Sequence, residues 1–214
     1  PCNKTILGDA NQNVNPYSST TSSDIQDIFP EAEAVTLTRS YRSTIEITEF
    51  ARRLSPGTEV DPIERHGPEP EVLDYPKPAA EKNAIAELVK EFNAAGSGSG
   101  QEYQTLGILC KTQKQAKALH KALEKKEATA RLLTSGSTSL ESGAIVTSVH
   151  LAKGLEFDQV IVPHVSSPNY STEVDRSMLY IACTRAMHRL TLTYSGGLSG
   201  IVEEAVEEMA EADW

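Results

Sequence analysis

Short apolar runs alternate along the chain with longer stretches in which apolar residues recur every three or four positions. The runs predict strands, at residues 35–38, 72–75, 105–110, 130–134 and 189–194. The longer stretches predict helices, at residues 44–54, 79–95, 113–126 and 173–187. Strands that alternate with helices are typical of an α/β protein, in which a parallel sheet is covered by helices on both faces.

The most informative segment is residues 144–163, in which a polar loop separates two apolar strands. Strands of this kind lie buried in a parallel sheet, and the ligands of such sheets gather at the loops beyond the strand ends. The loop contains His150, Lys153, Gly154 and Glu156. These side chains can meet both anions and sugar hydroxyls, so the loop is a candidate ligand site.

Segment 144–163 resembles motif V of superfamily 1 DNA helicases of the UvrD/Rep type. Three further segments resemble other motifs of that family, in the family's order: residues 6–12 motif III, residues 37–44 motif IV and residues 179–186 motif VI. Ser40 stands where motif IV commonly has Asn. The resemblance spans nearly the whole chain and implies a RecA-like fold, a parallel α/β sheet of the P-loop NTPase type with helices on both faces.

The chain has no Walker A loop, the G-x-x-x-x-G-K-[ST] segment whose backbone amides and Lys hold phosphates. Lys153-Gly154 has the reverse order, and the Gly/Ser run at residues 96–100 has no Lys. We therefore expect the C-terminal part of a longer protein, whose N-terminal RecA-like domain holds most of the ATP and Mg²⁺. Only about a hundred residues separate motifs IV and V, so the large domain that UvrD inserts there is expected to be absent or minimal, as in the helicase-IV-like branch.

The resemblance also implies a division of the chain into three parts. Residues 1–22 are expected to be the tail of the first RecA-like domain, with motif III, and a linker. Residues 23–200 are expected to form the second RecA-like domain, with motifs IV, V and VI. Residues 201–214 are expected to form an acidic C-terminal tail, in which a solvated helix is compatible with the many Glu residues.

At the nucleotide site, the resemblance implies roles for two arginines. Arg185 in motif VI is similar to the arginine finger, whose planar fork bonds phosphate oxygens; a surface Arg at a helix end is the alternative. Arg42 in motif IV is implied to reach the γ-phosphate and Tyr41 to stack on adenine, although Tyr41 equally suits the edge of a core. Gly154 and Glu156 are implied to lie near the nucleotide, with Glu156 accepting a hydrogen bond from a ribose hydroxyl.

Four more residues are implied to link nucleotide and DNA. Gln12 in motif III resembles the residue that senses the γ-phosphate, since an amide both donates and accepts. Asp9 belongs to the same network or is a turn residue after Gly8. Thr147 and His150 resemble positions that face single-stranded DNA. No His or Cys residues have the spacing of metal ligands, so we predict no metal held by this chain alone.

The charge balance changes the expectation for DNA binding. The 214 residues carry 30 acidic and 20 basic side chains, a net charge of −10. Because phosphate neutralisation provides much of the affinity of nucleic-acid binders, we expect this chain alone to bind DNA weakly. The 3 cysteines leave one unpaired in any disulfide scheme, which fits a reducing cytoplasm. No apolar run is long enough to span a bilayer, and no membrane partner is expected.

Three hypotheses for function follow from the resemblance. In the first, the chain is part of an ATP-dependent DNA helicase or translocase, supplies its arginine finger and is inactive alone. In the second, the protein is an ATP-driven remodeller of RNA polymerase or of another protein–nucleic acid complex. In the third, the chain is a non-catalytic RecA-like module, against which the retention of Arg42 and Arg185 argues.

Overall fold

The computed structural model describes residues 5–6, 22–35, 39–55, 60–95, 103–136 and 142–212. Helices α1 to α7 span Ser22–Ile28, Ile45–Leu54, Pro78–Ala95, Gln113–Glu124, Val149–Ala152, Glu173–Cys183 and Gly200–Ala212. Strands β1 to β8 span Arg39–Ser40, Asp61–Pro62, Glu71–Tyr75, Thr105–Cys110, Arg131–Leu132, Gly143–Ser148, Phe157–Val162 and Ala186–Ser195. Most of the expected strand at residues 35–38, and Asp9 and Gln12 of motif III, lie outside the described residues.

Strands β3 to β8 form one sheet in the order β3-β8-β7-β4-β6-β5, and every pairing in it is parallel. The two short strands β1 and β2 pair separately. The predicted parallel α/β sheet is therefore confirmed. The strands on either side of the 149–156 loop, β6 and β7, are not neighbours, because β4 lies between them and pairs with both.

Two apolar clusters show that helices cover both faces of the sheet. On one face α3 and α4 pack against β4, with Val89, Leu119 and Ile108 in a single buried cluster. On the other face α2, α6 and α7 pack together, with Phe50 and Ile181 in the second cluster. Ile108 and the residue after it in β4 belong to different clusters, because successive side chains of a strand point to opposite faces of the sheet.

The local patterns place most helix boundaries well. Thr44 caps α2, since its side chain accepts a hydrogen bond from the N–H of Ile47. The helix expected at residues 173–187 ends earlier, at Cys183, because Ala186 already belongs to β8, where it is paired with Phe157. That early end places Arg185 in the two-residue connection between helix and strand, directly at an edge of the sheet.

Helix α7 contains most of the expected acidic tail, but it is not a solvated helix standing apart from the domain. Ile201, Val202 and Ala205 on one side of the helix are buried in the same cluster as α2 and α6, while Glu203 and Glu207 are exposed. The residues after position 200 thus contribute to the core of the RecA-like unit. None of the helices in the described part of the chain is long and apolar enough to cross a membrane.

Candidate active site

Strands β7 and β8 lie side by side and begin at the same edge of the sheet, here called the amino edge. Glu156 immediately precedes β7 and Arg185 immediately precedes β8. The N–H of Phe157 donates to the carbonyl oxygen of Arg185 at 3.0 Å. The backbone pairing of the two strands therefore brings the motif V loop and the end of motif VI together.

Motif IV is attached to the same edge by buried hydrogen bonds. The hydroxyl of Ser43 donates to the carbonyl oxygen of Ala186 at 2.6 Å, and the N–H of Thr44 donates to that of Met187 at 3.2 Å. Both Ser43 and Thr44 are buried. These bonds fix the backbone that follows Arg42 against the first residues of β8, so Arg42 lies at the amino edge.

The side chains of Arg42 and Glu156 meet at this edge. The Nε atom of Arg42 lies 2.5 Å from Oε1 of Glu156. Both side chains remain accessible, at 35% and 46% of their full exposure respectively. Two residues that the resemblance assigned to the nucleotide are thus brought together as an ion pair open to solvent.

Arg185, at the same edge, is buried, with only 1% of its surface exposed. Its Nε donates to the carbonyl oxygen of Ile181 at 3.2 Å, and Nη1 to that of Leu155 at 3.3 Å. Nη2 donates to the hydroxyl of Thr184 at 3.3 Å. The guanidinium therefore bonds three acceptors of this chain, and one of them belongs to the residue before Glu156.

Gly154 and Tyr41 complete the amino edge. Gly154 has a φ of +86°, a conformation that disfavours side chains, at the turn between α5 and β7. Tyr41 is 67% exposed, so its ring does not belong to the core and is free to meet a ligand at the surface. Whether any of these five residues contacts a nucleotide remains a prediction.

Thr147 and His150 lie at the opposite, carboxyl edge of the sheet. His150 is exposed on the short helix α5. Thr147 is fully buried, and its hydroxyl lies 3.3 Å from the carbonyl oxygen of Leu133, to which it donates. Thr147 is therefore without exposed surface in this structure and His150 is accessible, and contact of either residue with DNA stays a prediction.

Comparison with known proteins identifies the family. Residues 143–193 match the model of the UvrD-like helicase C-terminal domain. The crystal structure of the C-terminal domain of a possible DNA helicase from Lactobacillus plantarum WCFS1 aligns with a TM-score of 0.65 and 32% identity, over 78% of this chain and 94% of that one. The chain belongs to the UvrD-like helicase C-terminal domain family. No curated protein sequence matches it significantly.

The matched helicase segment contains Glu156 and Arg185 but not Arg42. Arg42 lies outside the segment that matches the family model. The hydrogen bonds of Ser43 and Thr44 to β8 place it beside Glu156. Among the described residues, no group of three or more His, Cys, Asp or Glu side chains is arranged to hold a metal ion. At its amino edge, the described part of this helicase domain presents the accessible Arg42–Glu156 pair and the exposed ring of Tyr41.

A buried acid that the sequence did not reveal lies at the carboxyl ends of β7 and β8. Glu81 of α3 is fully buried and accepts hydrogen bonds from the N–H and Nδ1 of His164, at 2.8 and 2.9 Å, and from the hydroxyls of Thr193 and Ser195. Burial alone would raise the pKa of Glu81, but the bonds from His164 and Thr193 outweigh it and the pKa is lowered. An acid in the first turn of a helix is usually a surface residue, so no sequence signal marks this one.

A second cluster at the carboxyl edge surrounds Lys111, the residue that follows β4. Its ammonium lies 2.5 Å from Oδ1 of Asp175 and donates to the carbonyl oxygen of Asn169. Burial opposes ionisation of Asp175, but bonds from Lys111 and from the N–H groups of Ser171 and Thr172 lower its pKa. The position of Lys111 directly after a central strand was the one signal in the sequence for this cluster.

Proposed function

We propose that this chain forms one half of the nucleotide site of an ATP-dependent DNA helicase or translocase. The observation that carries the proposal is the convergence of Arg42, Glu156 and Arg185 at the amino edge of β7 and β8. The two guanidinium groups lie at the same edge of the sheet, with Arg42 accessible and Arg185 buried. Planar arginine forks suit the paired oxygens of a polyphosphate. The family membership supports a helicase as the whole protein.

In this proposal the Arg42–Glu156 pair opens when nucleotide binds. Arg42 exchanges the carboxylate for the γ-phosphate, and Glu156 becomes available to a ribose hydroxyl. Breaking the pair costs little free energy, because solvent-exposed ion pairs contribute only about 0–1 kcal/mol to stability. Tyr41, with its exposed ring, is placed in sequence beside Arg42 and is assigned to the adenine.

Arg185 is assigned the role of the arginine finger. In the present structure its fork bonds the neutral acceptors Ile181, Leu155 and Thr184. Phosphate oxygens are stronger acceptors for a guanidinium than backbone carbonyls, because they carry a formal negative charge and can accept from both arms of the fork. We assign to Arg185 the stabilisation of charge that develops on the transferred phosphoryl group.

The remaining parts of the site are assigned to an N-terminal RecA-like domain. ATP and Mg²⁺ need a phosphate loop and acidic ligands, and this chain contains no Walker A sequence. Residues Asp9 and Gln12 are proposed to connect that domain with the γ-phosphate. Single-stranded DNA is proposed to run along the carboxyl edge past His150, with much of the affinity supplied by the other domain because this chain is acidic.

The decisive experiment measures ATP turnover, with and without single-stranded DNA, in the protein that includes the N-terminal RecA-like domain. Arg185→Gln removes the charge but keeps a hydrogen-bond donor in the buried site. We expect DNA-stimulated turnover to fall by about a thousandfold or more, the range of arginine fingers. Arg176→Gln is the matched control, since Arg176 lies on the same helix and pairs with Glu204; its turnover should stay within about twofold.

The other outcomes separate the hypotheses. Turnover that Arg185→Gln leaves unchanged would remove the finger from the proposal. Robust turnover that single-stranded DNA does not stimulate would favour a remodeller of a protein partner, for which no described residue provides specific support. An absence of turnover in the wild-type protein would indicate a non-catalytic RecA-like module.

A further inference from the structure

Helix α6 connects the two edges of the sheet. It begins at Glu173, after β7 has ended at the carboxyl edge, and ends at Cys183, two positions before Arg185 at the amino edge. Its 11 residues span about 16 Å at 1.5 Å per residue. Because a packed helix moves as a rigid element, the position of its first turn influences where Arg185 is held.

Lys111 holds the first turn of α6 and the loop before it. Its side chain is only 22% exposed and Asp175 only 6%. The ammonium contacts Asp175, the carbonyl oxygen of Asn169 and the ring of Tyr170, whose centroid lies 5.3 Å away. All three contacts are with residues 169–175, whereas Lys111 itself directly follows β4, so the cation connects the end of a central strand to α6.

These contacts go beyond what the helix needs for capping. The hydroxyl of Thr172 already accepts from the N–H of Asp175, and Oδ2 of Asp175 accepts from the N–H groups of Ser171 and Thr172. That is a complete capping box, made by one oxygen of Asp175. The other oxygen, Oδ1, is the one that lies against Lys111. The ion pair is therefore an additional connection, at the desolvation cost of a largely buried charge.

The position of Lys111 at the carboxyl edge brings it close to the segment proposed to meet DNA. Cys110, at the end of β4, is paired with Ser148 at the end of β6. The next residues along the two strands are Lys111 and the first turn of α5, which contains His150. Lys111 thus follows a strand that pairs with the one leading into that turn, and it contacts the first turn of the helix that leads to Arg185.

We propose that Lys111 is a positioning residue for Arg185, acting through the Asp175 carboxylate and the α6 helix. This inference rests on the proposed role of Arg185 as the arginine finger. Lys111 contacts neither substrate nor Arg185; it fixes the first turn of α6, and the helix transmits that placement to the amino edge. Loss of the ammonium leaves α6 capped but free to shift, so Arg185 reaches the phosphoryl group less often.

The test compares ATP turnover of Lys111→Met, which keeps the aliphatic chain, with that of Lys111→Arg, which keeps the charge. The protein includes its N-terminal RecA-like domain, and single-stranded DNA is saturating. We expect Lys111→Met to lower kcat by about tenfold, within the range for coupling through packed elements, and to leave the KM for ATP within about twofold. Lys111→Arg should recover at least half of the lost kcat. Lys114→Met, an exposed neighbour with the same change of charge, is the control.

A double-mutant cycle decides whether the effect passes through Arg185. If it does, Lys111→Met has no further effect on kcat in the Arg185→Gln background. An equal loss in both backgrounds, or no loss in the wild-type background, overturns the inference. If Lys111→Met is too unstable to assay, Asp175→Asn takes its place, because Asn can still accept from the capping N–H groups, and the same cycle applies. The proposed function fails separately, if Arg185→Gln alone leaves turnover unchanged.

Discussion

Arg42 and Glu156 stand 114 positions apart in the chain, and their side chains form an ion pair with Nε and Oε1 separated by 2.5 Å. The pair joins the segment before α2 to the loop before β7 at the amino edge of the sheet. Because it is solvent-exposed, the pair contributes little to folding, and both partners remain available to an incoming ligand. The Arg42–Glu156 pair is therefore better suited to binding a ligand than to stabilising the fold.

The first prediction follows from that exposure. Glu156→Gln is expected to change the free energy of unfolding by less than about 1 kcal/mol. In the protein with its N-terminal domain, the KM for ATP is expected to rise by about fivefold, because Gln is a weaker acceptor for the ribose hydroxyl. Urea unfolding of the chain and steady-state turnover check the two parts.

Glu49→Gln provides the control for Glu156→Gln. Glu49 forms a partly exposed i,i+4 pair with Arg53 on α2, at 3.7 Å, and its own side chain is 38% exposed, close to the value for Glu156. Its substitution should leave both stability and the KM for ATP nearly unchanged. A loss of stability of more than about 2 kcal/mol in Glu156→Gln would show that the pair is structural.

Local sequence patterns predicted the elements better than their arrangement. The buried strand β4 was predicted at its observed bounds, because the β-branched Thr105 and the five residues after it, none of them polar, end at the charged Lys111. Its place between β6 and β7 was not predicted, since strand order depends on contacts that no local pattern records. For the same reason the motifs identified Arg42 and Glu156 individually, and only the fold shows them as a pair.

The second prediction concerns the backbone of the motif V loop. Gly154 and Gly196 both have a φ of +86°, and a Cβ added at either would meet no atom within 4 Å. Substitution by Ala therefore introduces the same strain, about 1–2 kcal/mol, without a clash. Gly154→Ala is expected to raise the KM for ATP because it shifts the loop that carries Glu156, whereas Gly196→Ala is expected to leave it unchanged.

A second substitution, Gly154→Asn, distinguishes the effect of backbone strain from the effect of adding a side chain at this position. Asn tolerates positive φ better than Ala, so Gly154→Asn should retain more nucleotide binding than Gly154→Ala. Equal effects of the two substitutions would mean that the side chain itself, and not the backbone conformation, disturbs the loop. Steady-state turnover and thermal unfolding of all three variants provide the comparison.

The third prediction concerns the pH dependence of stability through Glu81. The pKa of this buried carboxyl is lowered in the folded protein from its ordinary value of 4.5. The ionised form is therefore favoured by folding, and its stabilising contribution is fully present above about pH 4.5 and is lost as the pH falls through the folded-state pKa. Glu81→Gln should cost about 2–4 kcal/mol near pH 7, because Gln places an NH₂ group against hydrogen-bond donors.

Urea unfolding near pH 7 and near pH 4 measures this contribution. The difference in stability between the wild type and Glu81→Gln is expected to begin to shrink at the lower pH, since the Glu81 carboxyl of the unfolded chain then takes up a proton while the folded one, with its lowered pKa, stays ionised longer. Glu87→Gln is the control on the same helix, where Glu87 is exposed and pairs with Lys90 at 3.0 Å. A difference that does not depend on pH would show that Glu81 contributes through packing and not through its charge.

The fourth prediction tests the finding that the acidic end of the chain belongs to the core. Val202 is fully buried against the cluster that contains α2 and α6, and its neighbour Glu203 points to solvent. Val202→Ala removes two methyl groups from a packed site and is expected to lower the free energy of unfolding by about 1–3 kcal/mol. Glu203→Ala, one position away on the same helix, should change it by less than about 0.5 kcal/mol.

The consequence reaches the amino edge, because α7 packs on α2, which begins three residues after Arg42. A destabilised α7 loosens the packing of α2, so Val202→Ala is also expected to weaken nucleotide binding modestly in the protein with its N-terminal domain. Hydrogen exchange of the α2 amides gives a direct measure, with faster exchange in Val202→Ala than in Glu203→Ala. Identical exchange in the two variants would mean that α2 is held in place by α6 and the sheet alone, and that α7 is a peripheral addition.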